Sequence, residues 1–165
     1  MPYPKGFQSH VKYDHLKKSK VKTMPTDKII GLETPPFEVE VEKGAIRKLI
    51  EAIGDTNPLF LDEEIANKSR FEGLIAPPTF ATTFRGERPD VKLDRTKPPL
   101  FARQEYDYFR PLRVGDKLTC QTRVVDTYEK ESRRGPLRYV IYEMIGADEN
   151  GEKVFVGRQF VAFFK

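Results

Sequence analysis

The residues most able to do chemistry lie between two predicted helices, in the sequence Gly-Asp-Thr-Asn-Pro at positions 54–58. Asp55 is a carboxylate directly after a helix end, where it could hold a water molecule and act as a base. Ordinary carboxylates are weak bases at pH 7, because they ionise at much lower pH. The alternative is structural, since an aspartate in a turn often accepts hydrogen bonds from the backbone amides that follow it. The sequence leaves both interpretations of Asp55 open.

Other reactive side chains give weaker signals. Cys120 is the only cysteine, so the chain has no disulfide framework and no thiolate zinc cluster. Its place in a strand-like run favours a packing role over a nucleophile. His10 and His15 lie in a lysine-rich stretch, without a metal-ligand pattern around them. No glycine-rich nucleotide loop or covalent-cofactor signature is present, and we expect no metal and no cofactor.

The elements that position Asp55 follow from the hydrophobic pattern. A period of two over residues 37–41 predicts a strand with one wet face. Apolar residues then recur at helical spacing over 46–53, which predicts an amphipathic helix of about three turns. Gly54 follows directly, where a helix stop is expected.

Further helical pieces are predicted after Asp55. Asp62 is a good N-cap for a short helix over residues 63–66. A second helical piece is expected over 79–84, after two prolines that suit a helix entrance. Residues 85–99 are charged and contain proline, which indicates an exposed loop.

The second half of the chain is nearly all strand. Strands are predicted over 100–110, 116–128, 136–147 and 153–165, with turns at 133–136 and 148–151, the second a strong hairpin signal. The last strand is apolar on both faces, so we expect a helix on one side and a partner surface on the other. The order of elements predicts an α+β domain in which a curved antiparallel sheet wraps around a central helix.

Residues 53–84 resemble the hydratase signature of MaoC-like proteins, in which Gly-Asp-x-Asn-Pro-x-His-x-Asp is followed by an alanine and a glycine-containing Ile-Ala segment. The matching residues are Gly54, Asp55, Asn57, Pro58, Asp62, Ala66, Gly73, Ile75 and Ala76. A second family-like stretch is Phe-Arg-Pro-Leu-Arg-Val-Gly-Asp at 109–116. The resemblance spans about residues 37–164 and implies the hot-dog fold of acyl-thioester hydratases and dehydratases.

Where active members of this family have histidine, this chain has Phe60. In the family, the Asp–His pair holds a water and moves protons as water adds to a 2-enoyl thioester or leaves a 3-hydroxyacyl thioester. Backbone N–H groups near the glycine-containing segment polarise the thioester carbonyl. Phenylalanine cannot transfer a proton. The resemblance therefore implies that Asp55, the remaining candidate catalytic residue, lacks its partner.

The sequence Ala-Pro-Pro-Thr-Phe at 76–80, together with Phe60, resembles one branch of the family. This branch contains N-terminal dehydratase domains related to fungal type I fatty acid synthase, and the substrate-side subunits of heterodimeric 3-hydroxyacyl thioester dehydratases. In that arrangement two hot-dog domains pair along their sheet edges, and the subunit without the dyad shapes the acyl tunnel. The resemblance implies these substrate-binding residues: Asn57, Phe60, Gly73, Ile75, Ala76, Thr79, Phe80 and Phe84. For the aromatic residues among them, simple core packing is the alternative.

Three functions remain open. The first is a 2-enoyl-CoA hydratase or 3-hydroxyacyl-thioester dehydratase subunit that binds an acyl-CoA or acyl-carrier-protein thioester and is inactive without an Asp–His-bearing hot-dog partner. The second is a self-sufficient hydratase or thioesterase that uses Asp55. The third is a non-enzymatic acyl-CoA-binding or assembly module. A hetero-oligomer is expected, with a homodimer as the alternative, and candidate contacts for the CoA phosphates are Arg85, Arg88, Arg110 and Arg113.

Composition and charge set the remaining expectations. The 165 residues carry a net charge of +4, and seven lysines against two aspartates place this charge within residues 1–28. We therefore predict a basic N-terminal arm over 1–34 and a single domain over 35–165. The near-neutral domain disfavours nucleic-acid binding, and no apolar run is long enough for a membrane span. The lone cysteine and the absence of an apolar leader favour a cytoplasmic location.

Overall fold

The computed structural model describes residues 29–91, 98–133 and 135–164. The lysine-rich segment 1–28, including His10 and His15, and residues 92–97 of the predicted loop lie outside the described residues. Regular structure in the described part consists of β1 (Phe37–Glu40), α1 (Lys43–Ile53), α2 (Glu63–Lys68), β2 (Leu100–Tyr108), β3 (Lys117–Ser132), β4 (Gly135–Ala147) and β5 (Lys153–Phe164), with two short 3-10 helices, Pro58–Phe60 and Phe80–Thr83.

The strands form one sheet in the order β1-β3-β4-β5-β2, and all neighbouring strands are antiparallel. The β4–β5 hairpin closes at the predicted turn, where the Asp148 side chain accepts hydrogen bonds from the amides of Asn150 and Glu152 at 3.0 and 3.1 Å. Consecutive residues of β5 are buried over Val154–Gly157 and Phe160–Phe163, as expected of a strand that is apolar on both faces. The sheet confirms the predicted α+β class.

Helix α1 packs against one face of this sheet. It begins at Lys43 and ends before Gly54, its C-cap, as the sequence predicted. Ile46 and Ile50 are each 1% exposed and belong to the same core cluster as Leu118 of β3 and Phe155 of β5. Ile46 and Ile50 of the predicted stripe are therefore buried by the sheet, whereas Ile53 at the end of the helix is 52% exposed.

The helical piece predicted over 79–84 is shorter than expected. Only a single 3-10 helix forms, over Phe80–Thr83. The hydroxyls of Thr82 and Thr83 donate to the carbonyls of Thr79 and Phe80 at 2.7 and 2.8 Å. Threonine hydroxyls that bond to the carbonyl three residues earlier compete with the regular helical ladder. The chain leaves this turn at Phe84 in an extended conformation.

The last residues of the predicted arm lie along β3. The amides of Gly31 and Thr34 donate to the carbonyls of Val124 and Thr122, each at 2.9 Å. Residues 31–34 thus follow the same sheet edge as β1, with Pro35 and Pro36 between the two pairings. This edge of the sheet is interrupted, because proline cannot supply the ladder N–H group.

A row of alternating charges crosses four strands of the sheet. Arg123 of β3 donates to Glu143 of β4 at 2.7 Å, and Arg158 of β5 donates to the other Glu143 oxygen at 2.8 Å. Arg158 also donates to Asp107 of β2 at 2.8 Å. Glu143 is only 6% exposed, so its charge is compensated by two arginines rather than by water.

Phe155 is the centre of the core. It is fully buried, and its ring contacts the rings of Phe84, Tyr106 and Tyr108 at centroid distances of 5.8, 6.3 and 6.0 Å. The ring lies directly over Gly146 of β4, where a Cβ atom would overlap it. Only glycine permits this close approach of β4 to the ring.

We predict that Gly146→Ala lowers the free energy of unfolding by about 1–3 kcal/mol, the usual cost of overpacking a core. Urea denaturation of the wild type, both single variants and Gly146→Ala/Phe155→Leu would measure it. The smaller leucine relieves the overlap, so the double variant is expected to lose less stability than the two single losses together. Strictly additive losses would contradict the contact between the two residues.

Candidate functional site

In residues 55–62, which follow α1, three polar side chains accept hydrogen bonds from nearby backbone amides. Asp55 is half-buried and its Oδ1 accepts from the Asn57 amide at 2.9 Å. The Asn57 Oδ1 in turn accepts from the Leu59 amide at 3.0 Å. Asp62 caps α2 as predicted, through a 3.0 Å hydrogen bond from the Ile65 amide. The three polar side chains therefore fix three successive bends of the backbone.

These bends place Phe60 in the wall of a cavity of about 350 Å³, which we call the apolar cavity. Phe60 is 8% exposed and belongs to the core cluster. Leu59, Phe71, Ile75, Ala76 and Leu112 line the same cavity with it. Asn57 lies in the wall as well. The cavity can take an apolar chain, and its surface offers few groups that could transfer a proton.

The other predicted site residues lie around this cavity but not in its lining. Gly73 follows α2, and its amide donates to the Ala66 carbonyl at 3.2 Å. Thr79 is exposed, and Phe80 is 1% exposed in the core. Phe84 lines a different cavity. The structure thus brings Asn57, Phe60, Ile75 and Ala76 together in the wall of the apolar cavity, and the other predicted residues are outside its lining.

The segment 75–78 offers no backbone donor to the apolar cavity. The Ile75 amide donates to the Leu59 carbonyl at 3.3 Å, and the Ala76 amide donates to the Leu112 carbonyl at 2.8 Å. Pro77 and Pro78 have no N–H group. The stabilisation of a thioester carbonyl by backbone donors, which the resemblance implied near this segment, is therefore absent from these four residues.

Tyr108 of β2 connects the sheet to segment 75–78. Its hydroxyl donates to the Pro78 carbonyl at 2.7 Å, and its ring lines the apolar cavity. Burial, and then the neighbouring Tyr106, raise the pKa of Tyr108 above its usual value. The phenol therefore keeps its proton and acts as a hydrogen-bond donor at neutral pH. Tyr106 and Tyr108 alternate with acidic residues along β2, and side chains two residues apart in a strand lie on the same face. This alternation was the sequence signal that could have predicted their shared position.

The four arginines suggested as phosphate contacts are divided between two places. Arg110 lines the apolar cavity but is paired with Asp116 at 2.6 Å and with Asp148 at 3.6 Å. Arg113 is exposed beside it. Arg85 and Arg88 lie at the second cavity. Sequence reasoning missed Arg70, whose guanidinium lies 4.7 Å from the Phe71 ring at the wall of the apolar cavity.

The second cavity, which we call the polar cavity, measures about 310 Å³. It lies between the segment that leaves the Phe80–Thr83 turn and the sheet strands β2 to β5. Its lining includes the polar side chains of Arg88, Gln104, Tyr106, Thr122 and Gln159. The stacked rings of Tyr106 and Tyr108, with centroids 5.7 Å apart, stand between the two cavities.

Cys120 lines neither cavity. It is fully buried in the core, and burial raises the pKa of its thiol to about 12, which supports the packing role. Among the described residues, no group of three or more His, Cys, Asp or Glu side chains could hold a metal ion. In the same part of the chain, no helix is both long and apolar enough to span a membrane.

Comparison with known proteins gives a family match. Residues 28–156 match the model described as FAS1-like, dehydratase domain region. A UPF0336 protein of Streptomyces avermitilis is 39% identical over 98 residues, which cover 55% of this chain and 63% of that protein. A probable enoyl-CoA hydratase alpha subunit of Thermomonospora curvata is 30% identical over 132 residues, covering 68% of this chain and 41% of that protein. The chain thus spans less than two thirds of these relatives.

Solved structures share the fold. The MaoC-like dehydratase of Rhodospirillum rubrum superimposes with a TM-score of 0.60 at 25% identity, over 82% of this chain and 92% of that chain. The HadBC (3R)-hydroxyacyl-ACP dehydratase complex of Mycobacterium tuberculosis gives a TM-score of 0.64 at 21% identity, over 84% of this chain and 100% of that chain. The hot-dog fold and the MaoC-like resemblance predicted from the sequence are confirmed.

We predict different effects of two substitutions at Asp55. Asp55→Asn keeps an oxygen that can accept from the Asn57 amide, so its free energy of unfolding should stay within about 0.5 kcal/mol of wild type. Asp55→Ala removes the acceptor and should cost about 1 kcal/mol. Urea denaturation distinguishes them, and equal losses would show that the charge of Asp55, not its hydrogen bond, holds the turn.

Cys120 gives a prediction in alkaline solution. The folded thiol keeps its proton up to a pH of about 12, whereas an unfolded thiol loses it near pH 8.5. This group therefore stabilises the fold fully below about pH 8.5, and its contribution is lost as the pH rises toward 12. Between about pH 9 and pH 11, unfolding free energy should fall more steeply for wild type than for Cys120→Ala. Parallel curves would contradict the raised pKa.

Proposed function

Because the chain belongs to the FAS1-like dehydratase family and has the MaoC-like hot-dog fold, we propose that it is the substrate-binding half of an acyl-thioester hydro-lyase. Its reaction would be the hydration of a 2-enoyl thioester or the dehydration of a 3-hydroxyacyl thioester. The observation that supports this role most directly is Phe60, which stands at the position of the family histidine and forms part of the apolar cavity wall.

Two further features support a non-catalytic role. The Asp55 carboxylate is engaged with the Asn57 amide in the turn, and segment 75–78 has no amide left for an oxyanion. Proton transfer and carbonyl polarisation each contribute large factors to such reactions, and removal of one oxyanion donor alone costs about 10²–10³ in rate. Proton transfer would then have to come from a second hot-dog subunit that contains the Asp–His pair, and that subunit would also supply the carbonyl donors that segment 75–78 lacks.

The apolar cavity would hold the acyl chain next to the thioester. Phe60, Ile75 and Ala76 supply apolar surface, and each methylene removed from water contributes about 0.8 kcal/mol. Asn57 lies in the same wall as a polar group, with Gly73, Thr79, Phe80 and Phe84 as neighbours of the proposed site. Arg70 and Arg113 are the best placed cations for the phosphates of CoA or of a carrier-protein arm.

A separate catalytic subunit is supported by the relatives. The Thermomonospora curvata protein is named as an alpha subunit, and the Mycobacterium tuberculosis structure is a complex of hot-dog chains. A homodimer without added activity, or a self-sufficient enzyme based on Asp55, are the alternatives that the experiment below distinguishes. Binding of acyl-CoA without turnover in any mixture would favour an acyl-CoA-binding module.

We predict that the purified chain does not hydrate 2-enoyl-CoA, and that mixing it with a histidine-bearing MaoC-like partner produces activity well above that of the partner alone. The loss of absorbance of the enoyl thioester measures the reaction. Asp55→Asn is the matched variant, because it preserves the turn but removes the carboxylate. We expect this variant to support the mixture as wild type does. Turnover by the chain alone that Asp55→Asn abolishes would overturn the proposal and make Asp55 the catalytic group.

A further inference from the structure

The polar cavity differs from the apolar cavity in the groups that it presents. Its wall contains two amide side chains, Gln104 and Gln159, and the hydroxyls of Tyr106 and Thr122. These residues come from β2, β5 and β3, so the cavity lies across the face of the sheet that α1 also covers. Phe84 and Tyr142 supply ring surface in the same wall. A site with this mixture suits a guest that is mostly apolar but carries an oxygen.

The two glutamines form a connected pair. They are direct partners in the pairing of β2 with β5, and the Gln159 amide nitrogen donates to the Gln104 oxygen at 3.3 Å. The Gln104 nitrogen makes one further contact, to the Glu105 carbonyl at 3.4 Å. A primary amide offers two donors and an acceptor oxygen. No described residue donates to the Gln159 oxygen, which can therefore accept a hydrogen bond from a guest.

Tyr106 adds a donor beside this pair. Its ring is half-buried between Tyr108 and Phe155, and burial raises the pKa of the phenol to about 12. The hydroxyl makes no hydrogen bond to the described residues. Gly157 provides the space for the ring, because a Cβ atom there would lie 2.7 Å from Tyr106 Cε1. The glycine thus allows the tyrosine to lie close against β5 in the cavity wall.

The charged residues of the polar cavity, two arginines and one glutamate, lie toward solvent. Arg85, Glu87 and Arg88 line it and are all exposed. The Arg88 guanidinium lies 5.7 Å from the centre of the Tyr142 ring. The inner groups are neutral amides and hydroxyls, which favour a neutral oxygen over a carboxylate as the buried part of a guest.

We propose that the polar cavity binds the far end of an acyl chain that carries a hydroxyl or keto oxygen. This inference rests on the proposed function, in which the thioester end of the same chain occupies the apolar cavity. The Tyr106–Tyr108 stack separates the two cavities, Tyr108 lining one and Tyr106 the other, so a chain that occupies both would have to run along these rings. Oxygenated acyl groups would then be preferred over plain alkyl groups, because a plain methyl end gives no partner to the Gln159 oxygen or the Tyr106 hydroxyl.

The test is calorimetric titration of the full chain with saturated acyl-CoA esters, which undergo no hydration. At each chain length from about eight to sixteen carbons, four acyl groups are compared. Their far ends carry a methyl group, a hydroxyl group, a ketone next to the terminal methyl, or a carboxyl group. We expect the acyl-CoA thioesters with a hydroxyl or keto group at the far end to bind about tenfold more tightly than the methyl-ended thioester of the same length. This is the factor that one net hydrogen bond contributes. This preference should appear only above the length that reaches Tyr106.

Three variants identify the groups responsible. Tyr106→Phe and Gln159→Leu should each remove most of the preference, measured as the ratio of the dissociation constants of the methyl-ended and oxygenated thioesters. Tyr128→Phe is the matched control, because Tyr128 is also stacked on a tyrosine, Tyr139, but lies outside both cavities. It should retain the full preference.

Several outcomes would overturn the inference. Equal affinity for methyl and oxygenated esters at every length would do so while leaving the proposed function intact. A gain for the carboxyl esters alone would assign recognition to Arg85 and Arg88, and an unchanged preference in Tyr106→Phe and Gln159→Leu would place it elsewhere. Absence of binding by every acyl-CoA ester, with and without the partner subunit, would overturn both the inference and the proposed function.

Discussion

The contact of the Phe155 ring with the backbone of Gly146 positions the aromatic residues that line the two cavities. Because β4 approaches this ring so closely, the ring can support three aromatic neighbours, Phe84, Tyr106 and Tyr108. Phe84 and Tyr106 form part of the wall of the polar cavity, and Tyr108 forms part of the wall of the apolar cavity. The geometry of the site therefore depends on a glycine and a phenylalanine of two sheet strands, neither of which lines a cavity.

The residues around the apolar cavity leave few polar groups in its wall that would need partners. A polar dyad in the wall of an apolar cavity would need solvent or hydrogen-bond partners, and Phe60 removes that requirement. Pro77 and Pro78 have the same effect on the backbone, since each removes a donor that would otherwise need an acceptor. Asp55 has a structural use in this turn, because its carboxylate oxygen accepts a hydrogen bond from the Asn57 amide.

Local patterns in the sequence predicted the elements that depend on local forces. The stripe of α1, its end at Gly54 and the cap at Asp62 all follow from neighbours within a few residues, and all are present. The polar cavity was not predicted, because Gln104 and Gln159 are 55 residues apart and meet only through the pairing of β2 with β5. The positions of Arg85 and Arg88 at this cavity could not be predicted either, because the path of a loop over the sheet depends on long-range packing more than on its local sequence.

The charge row through Arg123, Glu143, Arg158 and Asp107 bears on how the sheet assembles during folding. A slip of one residue in any of these strands would turn its charged member toward the apolar core and leave Glu143 or an arginine without its counterion. A mispaired sheet would therefore carry an electrostatic penalty in addition to the loss of core packing. The charge row therefore helps to specify the register of the strands. Such specification matters more in a sheet of long strands with non-local pairings than in a helical bundle.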